Sequence, residues 1–188
     1  MKSFAILIFL VLAGNFQIAF AQKFFTKEAK VAFDAEGVMD DLEEIKANTN
    51  TAVCVFDQST GKMEWSVLMK SFAFKNALMQ EHFNENYVES SKYPKAKFTG
   101  QIDNPDAVNF SKPGTYPVVV SGQMTIHGIT KNIREKGTVK VEANGLLMDS
   151  EMMVLLSDYG IKIPSLVGDK LSNEVHVSIH AELKPFKK

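Results

Sequence analysis

The residues of this chain that could do chemistry are four histidines, one cysteine and a few neighbouring acids. His176 and His180 fall on the same side of one alternating segment, with Ser178 between them and Glu174 and Glu182 flanking. At the usual strand rise they are about 13 Å apart, too far to hold one ion directly, and their side is read as facing solvent. His127 stands where a turn begins and is read as hydrogen-bonding the turn backbone, with a ligand headgroup contact as the alternative. His82 falls in a helical segment and either points outward or lines an opening. No spacing matches a zinc site. Asp40-Asp41 and Glu43-Glu44 suit the solvated start of a helix, where the dipole favours negative charge. Cys54 lies between Val53 and Val55 and reads as a structural thiol in a strand. The chain carries no G-x-S-x-G elbow, H-E-x-x-H, phosphate loop or dinucleotide fingerprint. Asn109-Phe110-Ser111 has the form of a glycosylation sequon, which often arises by chance. No catalytic residue, metal or cofactor is therefore expected, and the chain is read as not an enzyme.

The first residues have a different job. Met1-Lys2 is a short positive start, an apolar run follows from Phe4, and Ala19-Phe20-Ala21 ends it with small residues at the positions a signal peptidase reads. This is the form of a secretory leader, and its apolar stretch is too short to span a bilayer comfortably. Cleavage is expected after Ala21, leaving residues 22–188, a single domain large enough to bury a core. No later apolar run approaches spanning length, so an integral membrane protein is not expected. Without Lys2 the remaining 20 basic and 22 acidic residues nearly cancel, which suggests neither a nucleic-acid partner nor an anionic membrane surface.

A period of two dominates what remains. Val118, Val120, Gly122, Met124 and Ile126 share one side of a strand, with Val119, Ser121, Gln123, Thr125 and His127 on the other. Val175, Val177, Ile179, Ala181 and Leu183 likewise alternate with Glu174, His176, Ser178, His180 and Glu182. Val31, Phe33 and Ala35 form a similar face, and so do Met63, Trp65, Val67 and Met69 after a turn at Gln58-Ser59-Thr60-Gly61. Residues 97–102 read as a strand entered through Tyr93-Pro94. His127-Gly128-Ile129-Thr130 reads as a tight turn, Asn144-Gly145 as a hairpin, and residues 146–156 as a strand with Met148, Met152 and Val154 on one side. Helices are expected over residues 40–47, where Asp40 and Glu43 have capping-box spacing, and over residues 76–87, where Met79, Phe83 and Tyr87 form a stripe.

About eight strands with one dry and one wet face make an antiparallel β-barrel or sandwich. The expected inward residues are Met63, Trp65, Val67, Met69, Val118, Val120, Met124, Ile126, Met148, Met152, Val154, Val175, Val177 and Ile179. Eight strands enclose either a filled core or one small ligand, and the alternation is the same for both. Adaptable methionines suit an apolar pocket. Mutual packing of the same residues would instead leave a filled barrel. Such a barrel would act as a stress-response or protein-interaction module through its outer face and the helix near Phe83.

Several stretches resemble one family when taken in order. They are Met69-Lys70-Ser71-Phe72, the helix Ala77 through Phe83, Lys92-Tyr93-Pro94-Lys95-Ala96-Lys97-Phe98, Val120 through Thr130, Ser157-Asp158-Tyr159-Gly160-Ile161 and the last alternating strand. Together they are similar to the YceI-like family, whose hairpin reads approximately G-x-L-T-I-H-G-V-T. Here Met124 replaces the Leu and Ile129 the Val. The resemblance implies an extended lipocalin-like antiparallel barrel, exported to the periplasm. It implies that the inward residues above line a cavity for a long apolar molecule such as a polyisoprenoid or quinone. Relatives often pair, so a homodimer is an expected assembly. Many members begin the first strand with a His-Ser pair; here Phe25-Thr26-Lys27-Glu28-Ala29 stands there, and the barrel opening is expected to differ accordingly.

Overall fold

The computed structural model describes residues 22–36, 45–163 and 171–186. The expected leader lies outside these residues. Nine strands form: β1 (Lys23–Glu36), β2 (Lys46–Asp57), β3 (Lys62–Leu68), β4 (Ala73–Phe74), β5 (Lys95–Ile102), β6 (Gly114–Ile126), β7 (Ile129–Glu142), β8 (Gly145–Leu155) and β9 (Leu171–Pro185). Their order is β1-β9-β8-β7-β6-β5-β3-β2, every neighbour antiparallel, and β1 pairs with β2 to close the ring. The expected barrel of eight strands is thus present. The two-residue β4 is an addition, pairing Ala47 with Phe74 at the rim. No helix among the described residues is long and apolar enough to cross a membrane.

Successive strands run up and down, so the connections gather at two ends. One end carries the β2–β3 turn, residues 103–113 and the β7–β8 turn. The other carries the β6–β7 turn, the segment after β8 and the helix α1 (Ala77–His82). Asn76 caps α1, its Oδ1 accepting from the backbone N–H of Leu78 at 2.8 Å and of Met79 at 3.3 Å. The helix then widens into a single turn over Phe83–Tyr87, where Val88 N donates five residues back to Phe83 O at 3.0 Å. The expected 76–87 segment is therefore helical, in two geometries.

Some expectations need correction. Of the helix expected at 40–47, residues 40–44 lie outside the described set, while Lys46 and Ala47 begin β2. Their pairing with Asp34 and Phe33 of β1 outweighs the local helix signal. The Asn144-Gly145 signal marks the right hairpin but not the right residues. Glu142 pairs with Gly145, so the loop is Ala143-Asn144 and Gly145 already belongs to β8. The β5 strand starts two residues earlier than expected, at Lys95, and β6 reaches back to Gly114. The 127–130 turn is as expected: Ile126 pairs with Ile129, leaving His127 (φ 50°) and Gly128 (φ 76°) as its two central residues. Positive φ at both is what a hairpin of this hand requires. The segment Phe25–Ala29 is bulged, with register shifts on both sides of Ala29. Its first residues lie beside the β2–β3 turn, at the end away from α1, and its last shift ends at Val31, which lines the cavity.

Candidate ligand cavity

The lumen is solid at one end and hollow at the other. At the end away from α1, Ala52, Cys54, Phe56, Ile102, Ala181 and Leu183 are all at most 1% exposed. Phe110 of the 103–113 segment packs on Phe56 at 5.9 Å between ring centroids and helps to seal that end. Cys54 is part of this plug. Burial pushes its thiol far above the ordinary range, which keeps it protonated and inert.

Toward α1 many inward residues of the barrel are only half-buried, because they face space rather than each other. Trp65, Val67, Val120, Met124, Ile126, Met152, Val177 and Ile179 all behave this way, although Met69, Val154 and Val175 are buried. The space is a cavity of about 360 Å³, within the range of small-molecule sites. All fourteen residues expected from the sequence to face inward line it. Two features shape its wall. Gly100 and Gly122 are paired across β5 and β6, and a Cβ on Gly122 would lie 2.7 Å from the Phe98 ring. The two glycines let that ring lie flat on the wall. Trp65 Nε1 also finds a partner within the lining, donating to Met63 Sδ at 3.4 Å.

An aromatic cluster roofs the cavity. Phe83 sits among Phe33, Phe72 and Phe74, with centroid separations of 5.4, 5.8 and 5.1 Å. The stripe Met79, Phe83, Tyr87 of the helical segment faces this roof and the cavity beneath. Phe83 is thus turned toward the cavity. Burial raises the Tyr87 hydroxyl above the ordinary phenol range, so it enters this roof uncharged. The roof residues come from β1, the β3–β4 turn, β4 and the helix. Sequence reasoning missed Phe72 and Phe74, because their meeting with Phe33 and Phe83 is a product of closure.

The histidines lie outside the lumen. His127 Nδ1 is 3.0 Å from Tyr159 O and Nε2 is 2.7 Å from the Glu89 carboxylate. The Tyr93 ring stands edge-on at 4.6 Å. His127 is structural, but it ties three loops together rather than bonding its own turn. Both its nitrogens are engaged away from the cavity. His176 and His180 are on the outer face, near Glu151 at 3.6 Å and Asp149 at 2.6 Å. His82 alone of the four touches the cavity rim. Among the described residues no three His, Cys, Asp or Glu groups could hold a metal ion. Asn109 is exposed and its Oδ1 accepts from Ser111 N at 3.0 Å, an ordinary turn contact.

A closed eight-stranded barrel, plugged at one end and hollow and apolar at the other, defines the class: a barrel with an internal apolar cavity. The chain belongs to the YceI-like domain family, whose profile matches residues 15–183. No curated protein matches it. Among solved structures it is similar to a polyisoprenoid-binding domain from Saccharophagus degradans implicated in plant cell wall breakdown. The TM-score is 0.75 at 13% identity, covering 88% of this chain and 99% of that one. BcnA of Burkholderia cenocepacia gives 0.65 at 15% identity, covering 82% and 95%. A YceI protein of Campylobacter jejuni gives 0.56 at 18%, covering 80% and 90%. At these identities the likeness is one of fold.

Proposed function

We propose that this protein is an exported carrier that holds one long apolar molecule, an isoprenoid or quinone, in the hollow half of its barrel, without catalysis. The observation that carries the reading is the gradient along the lumen. The same alternation that packs Phe56 and Leu183 to at most 1% exposure leaves Trp65, Met124 and Val177 facing a void. Empty apolar space costs stability, because its lining loses contact partners, and a bound chain would restore them. Family membership supports an apolar ligand, since one similar domain is polyisoprenoid-binding. The form of residues 1–21 supports export to the periplasm or beyond. The test is native mass spectrometry of protein purified from its own source, followed by organic extraction. One lipid per chain is expected. No extractable lipid, together with no uptake of offered polyisoprenol or ubiquinone, would sink the reading.

A further inference from the structure

The wall of the barrel is not continuous around the hollow half. Strands β7 and β8 pair from Glu142↔Gly145 only as far as Gly137↔Ser150. Beyond that point β7 continues to Ile129 and β8 to Leu155 without pairing each other, although β6 and β9 hold them on their other edges. Where they part, Ser150 Oγ donates to Lys136 O at 2.8 Å, satisfying a carbonyl at the end of the ladder. The cavity lining here passes onto Thr138 and Asp149, whose side chains belong to the outer face. A depression on the outside shares Gly137, Thr138, Asp149 and Ser150 with it. The seam is thus a side opening.

Glu135 stands beside this opening. It pairs with Val120 in the β6–β7 register and so shares its inward face, and it lines the cavity. It is half-buried, and among the described residues nothing donates to it or pairs with it. The other acidic and basic side chains of the cavity lining are His82, Lys97 and Asp149, and Asp149 at the seam is held by His180 at 2.6 Å. Lys131, two inward positions along β7, is taken by Asp158 at 3.6 Å. A carboxylate without a partner in an apolar site is unfavourable unless something donates to it. It accepts hydrogen bonds and repels anions, most strongly where water is excluded.

We propose that Glu135 receives the polar end of the ligand at the β7–β8 seam. The site then selects apolar chains ending in a hydrogen-bond donor, such as an alcohol or phenol, over chains ending in phosphate or carboxylate. This rests on the carrier reading and sharpens it, since it separates a free prenol or quinol from a prenyl phosphate. The test compares geranylgeraniol with geranylgeranyl monophosphate, equal in chain, by calorimetric titration of the purified protein. The alcohol is expected to bind at least about tenfold more tightly. Glu135→Gln, nearly isosteric, should bring the two within about threefold and Glu135→Lys should reverse the order, while Glu182→Gln on the outer face changes nothing. Thermal unfolding of each variant checks that the barrel is intact. Equal binding of both probes to the native protein, or an unchanged ratio in Glu135→Gln, overturns the assignment while leaving the carrier reading in place. Binding of neither probe overturns both.

Discussion

One aromatic ring placed at two positions on the same strand face separates a hollow barrel from a filled one. Val177 and Ala181 are four residues apart on β9 and both face the lumen. Val177 lines the cavity, whereas Ala181 is 0% exposed and does not, its register partner Met148 standing buried where the cavity meets the plug. In Val177→Phe the added carbons enter empty space. Burying roughly 50 Å² more apolar surface at about 25 cal/mol/Å² contributes about 1 kcal/mol. For a domain of this size that raises the unfolding midpoint by about 2–4 °C. In Ala181→Phe the ring has nowhere to go, and overpacking costs about 1–3 kcal/mol or more, which lowers the midpoint by roughly 3–10 °C. Differential scanning calorimetry of ligand-free protein reads both. The same sign at both sites would refute the reasoning. Two decreases mean a lumen filled throughout, and two increases mean that the plug is loose.

Other consequences are as direct. Phe83→Ala removes the centre of the aromatic roof. Release of bound geranylgeraniol, followed by stopped-flow fluorescence, should become at least about tenfold faster. The stability loss should stay below the 3–5 kcal/mol typical of a fully buried Phe, because this ring is half-buried. His127→Asn keeps a residue that tolerates positive φ but cannot reach both Tyr159 O and Glu89. It should cost about 1–3 kcal/mol and speed amide exchange at residues 156–161. Cys54, whose thiol burial holds protonated, should ignore a thiol reagent in native buffer and react at once in denaturant. Native labelling would show that the plug opens.

The strands and their inward faces were legible because alternation is a local signal. On β6, β8 and β9 it named the inward residues directly, Val120, Met152 and Val177 among them. What divides plug from cavity is not local. Leu183 and Ile179 sit on one face of one strand with the same chemistry, and only what lies across the lumen makes one packed and the other half-bare. Glu135 escaped for a related reason. The first half of β7 mixes its inward face, with Lys131 and Glu135 set between Ile129, Ile133 and Gly137, while Thr130, Asn132 and Arg134 face outward. No alternation marked it, and its orientation follows only from its pairing with Val120. The seam was equally hidden, since where two strands stop pairing depends on the curvature of the whole ring. The helix signal at 40–47 gave way at Lys46 and Ala47 because β2 needs them to close against β1.

Trp65 provides the measurement closest to the central claim. It is the only tryptophan in the chain and it lines the cavity, so its fluorescence reports whether something occupies the hollow half. Titration with a brominated long-chain alcohol, whose bromine quenches indole on contact, should quench Trp65 and saturate at one molecule per chain. Val177→Arg, which places a charge in the same space, should weaken that quenching strongly while the protein still unfolds cooperatively. Fluorescence that does not change, or that falls without saturating in the folded native protein, would contradict a cavity that takes an apolar chain.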